Sequence, residues 1–168
     1  DPIGSRGLGD VYKRQCNVKV GGYFVGCCYD GTIIDNQFRA NNGLDLTYKD
    51  AQGTEILRIK KIYKDSSFDA TKDSLGQEIQ VLVQSIGEIH SEYLVNFDYL
   101  EKELFALGFN TVSSDNFKDY YINRKLQYEK LVLSDQEQDI SFLNRAFIFK
   151  RERIPTTETV RCSDISSK

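Results

Sequence analysis

The stretch Ser85–Phe109, SIGEIHSEYLVNFDYLEKELFALGF, constrains the fold more than any other part of the chain. Tyr93, Phe97, Leu100, Leu104 and Leu107 recur at alternating steps of four and three, so a helix puts them on one stripe and leaves Asn96, Glu101, Lys102 and Glu103 largely on the other side. Ser91 offers an N-cap, and Gly108 stands where a left-handed C-cap is wanted. This predicts a helix with Glu92 in its first turn. A carboxylate there interacts favourably with the helix dipole, and most acids at such positions are simply solvated. The other reading of Glu92 is as a group facing a pocket, accepting hydrogen bonds from a ligand with adjacent N–H donors.

The flanking text predicts a mixed α/β chain. Tyr23–Cys28 is a short apolar run between a Gly-Gly turn and Asp30-Gly31, and reads as a buried strand. Residues 31–40 are weakly helical and 41–53 form a polar loop. Glu55–Tyr63, EILRIKKIY, has strand composition with the interspersed charges of an edge or half-exposed strand. Glu78–Ser85 alternates Ile79, Val81 and Val83 with polar or outward positions, and the polar 64–74 between the two is the loop of an antiparallel pair. Phe109–Ser113 returns to the sheet. Phe117–Tyr128 is a helix with Tyr120, Tyr121 and Leu126 inward, and Ala146–Phe149 is the last strand. Residues 152–168 are polar, without periodicity, and are expected to be disordered.

Composition narrows the function classes. A chain of 168 residues with 40% apolar content suits one domain with a real core. The net charge of −3 argues against gripping long nucleic-acid tracts through counterion release, though not against a pocket for one nucleotide. No apolar run reaches membrane-spanning length and no signal peptide is visible, so no membrane partner is expected. Four cysteines, at 16, 27, 28 and 162, form no CxxC pair; neither a metal site nor a disulfide framework is expected, and a reducing, intracellular compartment is the default. His90, the sole histidine, reads as a loop residue beside the helix start. Lys60-Lys61 and Lys150–Arg153 read first as solvated surface charge.

The segment SRGLGDVYKRQ, Ser5–Gln15, resembles the translation of a transposase adapter used in building sequencing libraries. Residues 1–15 are therefore expected to be a non-native leader. Gly4, Gly7 and Gly9 imitate part of a phosphate loop, but without the strand and helix such a loop joins.

GEIHSEYLVNFDYL is similar to the Glu-Tyr/Phe-Leu-Val region of messenger-RNA cap guanine-N7 methyltransferases, most of all those of large DNA viruses. Other segments resemble the same family in the same order: GGYFVGCCYDG, then IKKIY, a loop, LGQEIQV, and the closing SFLNRAFIFKR. That succession is more specific than any one piece. The resemblance implies an α/β fold, residues 16–151 being the C-terminal part of a Rossmann-like class I methyltransferase sheet with an antiparallel strand pair and flanking helices. Tyr23–Cys28 would be its fifth strand, and the N-terminal half that binds S-adenosylmethionine would be missing.

The resemblance also implies a site. Glu92 would contact the cap guanine, whose N1–H and N2 amino group lie side by side where one carboxylate accepts from both; adenine has no such pair of donors. Ligands of open α/β sheets sit beyond the carboxyl ends of strands, so Tyr29 would border the cap or the methyl donor. Read alone, Tyr29 is equally a half-buried loop aromatic. Asn144 falls near an aromatic hydroxyl of cellular members and would offer an amide to guanine, or is an ordinary strand-edge residue. The two basic segments would meet the triphosphate of 5′-capped RNA. The implied reaction moves a methyl group from S-adenosylmethionine to guanine N7, which carries a free lone pair; no residue is expected to act as nucleophile or proton shuttle, and alignment of the reactants is the enzyme's task.

With the donor half missing, the chain is expected to be inactive, and the truncated sheet not to fold alone. Fused triphosphatase or guanylyltransferase domains are compatible with this reading, and so is a nuclear, cytoplasmic or viral-factory location. Two alternatives stay open: another class I methyltransferase, and a non-enzymatic α/β nucleotide-binding module.

Overall fold

The computed structural model describes residues 18–43, 45–64, 67–125 and 132–154. The adapter-like leader, the inward Leu126 and nearly all of the polar tail lie outside the described residues. Among the described residues seven strands form two antiparallel sheets. The first sheet has the order β1–β7–β6, from β1 (Tyr23–Tyr29), β6 (Phe109–Asn116) and β7 (Asn144–Arg151). Both β1 and β6 run antiparallel to β7, and hence parallel to one another. The second is a meander in chain order, β2 (Leu46–Lys49), β3 (Glu55–Lys61), β4 (Glu78–Val83) and β5 (Ile89–Tyr93). Four helices are described: α1 (Gly31–Ala40), α2 (Phe97–Ala106), α3 (Phe117–Lys125) and α4 (Asp135–Ser141).

Each sheet buries one face against helical residues. Ile34 and Phe38 of α1 pack with Leu46, Leu57, Ile59, Ile79 and Val81, the inward positions of the meander. Phe97, Leu100, Leu104 and Leu107 pack with Phe109, Phe147 and Phe149. The stripe expected of the central helix is thus buried from Phe97 onward, and the αL residue that ends it is Gly108, with φ +89°.

The start of that helix differs from expectation. Ser91 is not the N-cap and Glu92 is not in the first turn; both lie in β5 with His90, and Asn96 caps α2 by accepting the Tyr99 N–H at 3.0 Å. Asn96 is buried and Asp98 is the first-turn acid. Asn outcompetes Ser because its amide also donates to the Phe68 carbonyl at 2.8 Å, tying the cap to a distant loop. The polar loop 41–53 contains β2, paired to β3 with a bulge at Tyr48–Lys49. β3 is an inner strand and not an edge; Arg58 and Lys60 fall on the face the meander leaves in water, while Glu55 and Lys61 end the core-side row at its two tips. β6 and β7 run longer than expected, and α4 starts at Asp135 behind a Ser134–Glu137 capping box.

Tyr23–Cys28 is a strand but not a buried one. Tyr23 is 57% and Val25 61% exposed, because among the described residues β1 pairs with β7 alone. Phe24 and Cys28, on its other face, pack against the core beneath this sheet, and Tyr29 at its tip packs against the core of the meander.

Candidate functional site

The two sheets meet at the tip of β1. Asp30, 2% exposed, accepts the Thr32 N–H at 3.1 Å and the Ile33 N–H at 3.4 Å through Oδ1, capping α1. Its Oδ2 accepts from Arg145 Nε at 2.8 Å. Arg145 in turn donates to the Ser114 carbonyl at 2.7 Å, and its guanidinium lies 5.2 Å from the centre of the Phe97 ring. One step on, Gly31 N–H donates to the Val95 carbonyl at 3.0 Å, and Asp30 and Val95 form a parallel bridge. A Cβ at Gly31 would come within 2.6 Å of the Val95 oxygen and of the Phe68 ring, so only glycine permits this approach.

The junction brings the end of β5 over the end of β1, and with it Glu92 to Tyr29. Glu92 pairs across the sheet with Ile79, so its side chain stands on the core face at the meander's edge. The residue keeps much of its surface in water. Protein atoms around the carboxylate nevertheless displace enough solvent to raise its pKa above the ordinary 4.5, with His90 acting in the opposite direction. Burial likewise raises the pKa of Tyr29, and the Glu92 charge adds to it. Cys28, desolvated and facing Cys27, Asp30 and Glu92, is pushed up to about 12 despite Arg145. Its thiol is therefore protonated and inert at neutral pH.

Asn144 pairs directly with Tyr29 across β1 and β7. Glu92, Tyr29 and Asn144 thus converge on one corner, although they are far apart in the chain. The Asn144 amide has other partners: its N–H₂ donates to the Ile140 and Ser141 carbonyls, each at 3.3 Å, closing the end of α4. The basic segments also bind protein groups. Lys61 lies 4.6 Å from the Tyr63 ring, Lys150 pairs with Glu152 at 3.5 Å, and Arg151 and Arg153 donate to the Val18 and Phe105 carbonyls.

Two open clefts lie elsewhere. One of about 370 Å³ is walled by Phe117, Tyr120, Leu133, Phe142 and Ala146 and carries little polar surface. The other, of about 420 Å³, lies between Asp50, Ile56 and α4. Neither includes Glu92 or Tyr29, and the two carboxylates on the second, Asp50 and Glu137, are taken up by their own turn and helix cap, so the β1 tip is the better candidate. Among the described residues no three His, Cys, Asp or Glu side chains could hold a metal ion, and no helix is long and apolar enough to cross a membrane. Nor do they fit S-adenosylmethionine: the acid at the β1 tip, Asp30, is occupied by Arg145 and the α1 cap, and no Gly-rich loop joins a strand to a helix.

No family model matches the chain. A search of characterised proteins finds similarity to the "Probable mRNA-capping enzyme" of Acanthamoeba polyphaga mimivirus, 31% identical over 119 residues. That likeness is to a probable capping enzyme. The match takes in 67% of this chain and only 10% of that protein, so it is a likeness to one segment of a much longer polypeptide. Sequence reasoning missed the Asp30–Arg145 pair. Asp before a helix signals a cap, but nothing local announces a partner 115 positions away.

Proposed function

We propose that this chain is the cap-guanine-binding part of an mRNA cap guanine-N7 methyltransferase, with Glu92 accepting hydrogen bonds from guanine N1–H and the N2 amino group. The observation that carries the reading is the position of Glu92, a partly desolvated carboxylate on the core side of an edge strand, beside Tyr29 at the tip of β1. A carboxylate short of water is the acceptor that two neighbouring N–H donors satisfy best. Tyr29 supplies an aromatic wall, and Asn144 lies behind it.

Similarity to a probable capping enzyme supports a capping-related role. The mutually parallel β1 and β6, with the reversed last strand between them, agree with the end of a Rossmann-like sheet. In this reading 5′-capped RNA is the partner, and S-adenosylmethionine is held by residues other than those described. It would supply the methyl group; this chain's part is to hold the guanine in one orientation.

Calorimetry with cap dinucleotides tests the proposal. The chain should bind GpppA in preference to ApppA, and Glu92→Ala should weaken GpppA binding by about 30-fold or more, the loss expected for a charged partner of two donors. Equal affinity for both dinucleotides, or a guanine preference that survives Glu92→Ala, would exclude Glu92 as the guanine acceptor. In the complete reading frame, the same substitution should abolish N7 methylation of GpppRNA.

A further inference from the structure

Sheet register gives the sole histidine a place beside Glu92. β5 pairs with β4 so that His90 lies opposite Val81, as Glu92 lies opposite Ile79. Directly opposed side chains stand on one face of an antiparallel pair, and Ile79 and Val81 are both buried in the core of the meander. Glu92 and His90 therefore share the core-side face of β5 at its open edge, with Ser91 between them facing away. Their backbones are separated by two residues of strand, about 6.6 Å. His90 is exposed, and the groups around it are Glu92 on its own strand, apolar Val81 on β4, and Tyr29 and Cys28 beyond Glu92 on β1.

A nucleotide on Glu92 has an electrostatic difficulty, because the carboxylate that suits the base repels the phosphates. A cation within reach has to offset this. Arg145 is engaged by buried Asp30 and by the Ser114 carbonyl. Lys61, in one cross-strand row with Ile79 and Glu92, stands two strands away against the Tyr63 ring. The imidazole of His90 stands on the same face as Glu92, in water, two residues along the strand. We propose that His90 is the anion-binding member of this site, donating to the phosphate chain of a nucleotide whose base is held by Glu92. The inference rests on the nucleotide reading of Glu92 and adds the polyphosphate contact. The competing role is edge protection, since inward charged residues also keep edge strands from pairing, and that role is indifferent to phosphate.

Being the one histidine, His90 gives a single imidazole C2–H resonance in proton NMR of the full chain. Sodium tripolyphosphate, which carries no base, should shift that resonance saturably. Sodium chloride at matched ionic strength should not. In calorimetry at pH 6, His90→Gln should weaken GpppA binding about tenfold and leave guanosine binding unchanged, whereas Glu92→Gln should weaken both. A resonance indifferent to tripolyphosphate, or GpppA affinity unchanged in His90→Gln, overturns the proposal and leaves His90 as an edge guard. If the His90 responses hold while Glu92→Gln binds guanosine as before, the phosphate site stands and the base reading falls.

Discussion

Glu92 places function and stability in opposition within one side chain. Its folded-state pKa lies above the ordinary 4.5 because burial penalises the charged form. The folded chain therefore holds this proton more tightly than the unfolded chain, and stability falls as pH rises through the interval from 4.5 up to the raised value. Below that interval the carboxyl is neutral in both states and costs nothing; above it the penalty is complete. Glu92→Gln removes the penalty and keeps the shape. Its thermal midpoint should exceed that of the parent at pH 7.5, and the difference should close at pH 3.5, where both side chains are uncharged. A midpoint lower than the parent at pH 7.5 would mean that the carboxylate makes a favourable contact in the folded chain. A polar group held at a cost to the fold is the usual mark of a binding site.

The same position explains how the sequence both disclosed the helix and concealed the strand before it. From Phe97 to Leu107 every apolar residue on the stripe is buried, and a period of 3.6 residues survives any tertiary context. Ile89–Tyr93 has no such period. Its core-side positions, His90 and Glu92, are polar because they overhang the edge, and its outer positions mix Ile, Ser and Tyr, so an edge strand with a functional face looks like the polar start of a helix. Asp30-Gly31 was legible as a turn, while its docking on Val95 was not, since that contact depends on two elements meeting. The junction is testable through Gly31→Ala, whose methyl group would meet the Val95 backbone at 2.6 Å. Backbone yields less readily than a side-chain tip, so urea denaturation should register a loss of about 1–3 kcal/mol. Arg145→Met should cost a similar 3 kcal/mol or so, by leaving the Asp30 carboxylate buried with only the α1 amides as partners. If both losses fall below 0.5 kcal/mol, on the order of an ordinary surface change, the β1 tip is not rigidly joined to β5.

Across the whole molecule the two sheets are finished to different degrees. The meander buries its inner face under α1 and leaves its outer face to water, where Arg58, Lys60 and Gln80 alternate with Leu82 and exposed Ile89. The β1–β7–β6 sheet has only one face well covered. On the other, exposed Val25 pairs with half-buried Ile148, an apolar stripe across β1 and β7 that ends at Ser113 beside exposed Val112 in the β6 bulge. At its margin the backbone of Tyr23, Val25, Cys27 and Tyr29 is turned away from β7, as alternation along an antiparallel pair requires, and meets no other strand among the described residues. An apolar stripe beside unpaired backbone is the arrangement that native edge strands avoid with lysine or proline. The chain should therefore self-associate as its concentration rises, and Val25→Lys should suppress this by putting an ammonium group at the edge end of the stripe, beside the unpaired backbone. Because Val25 is already 61% exposed, the substitution removes little packing, and its intrinsic strand cost lies within about 1 kcal/mol. Sedimentation velocity should move from a concentration-dependent coefficient in the parent to a constant one in the variant, with a thermal midpoint only a few degrees lower. Association that persists in Val25→Lys would place the contact on another face; a variant that no longer folds would mean that Val25 is packed, and that this side of β1 is core.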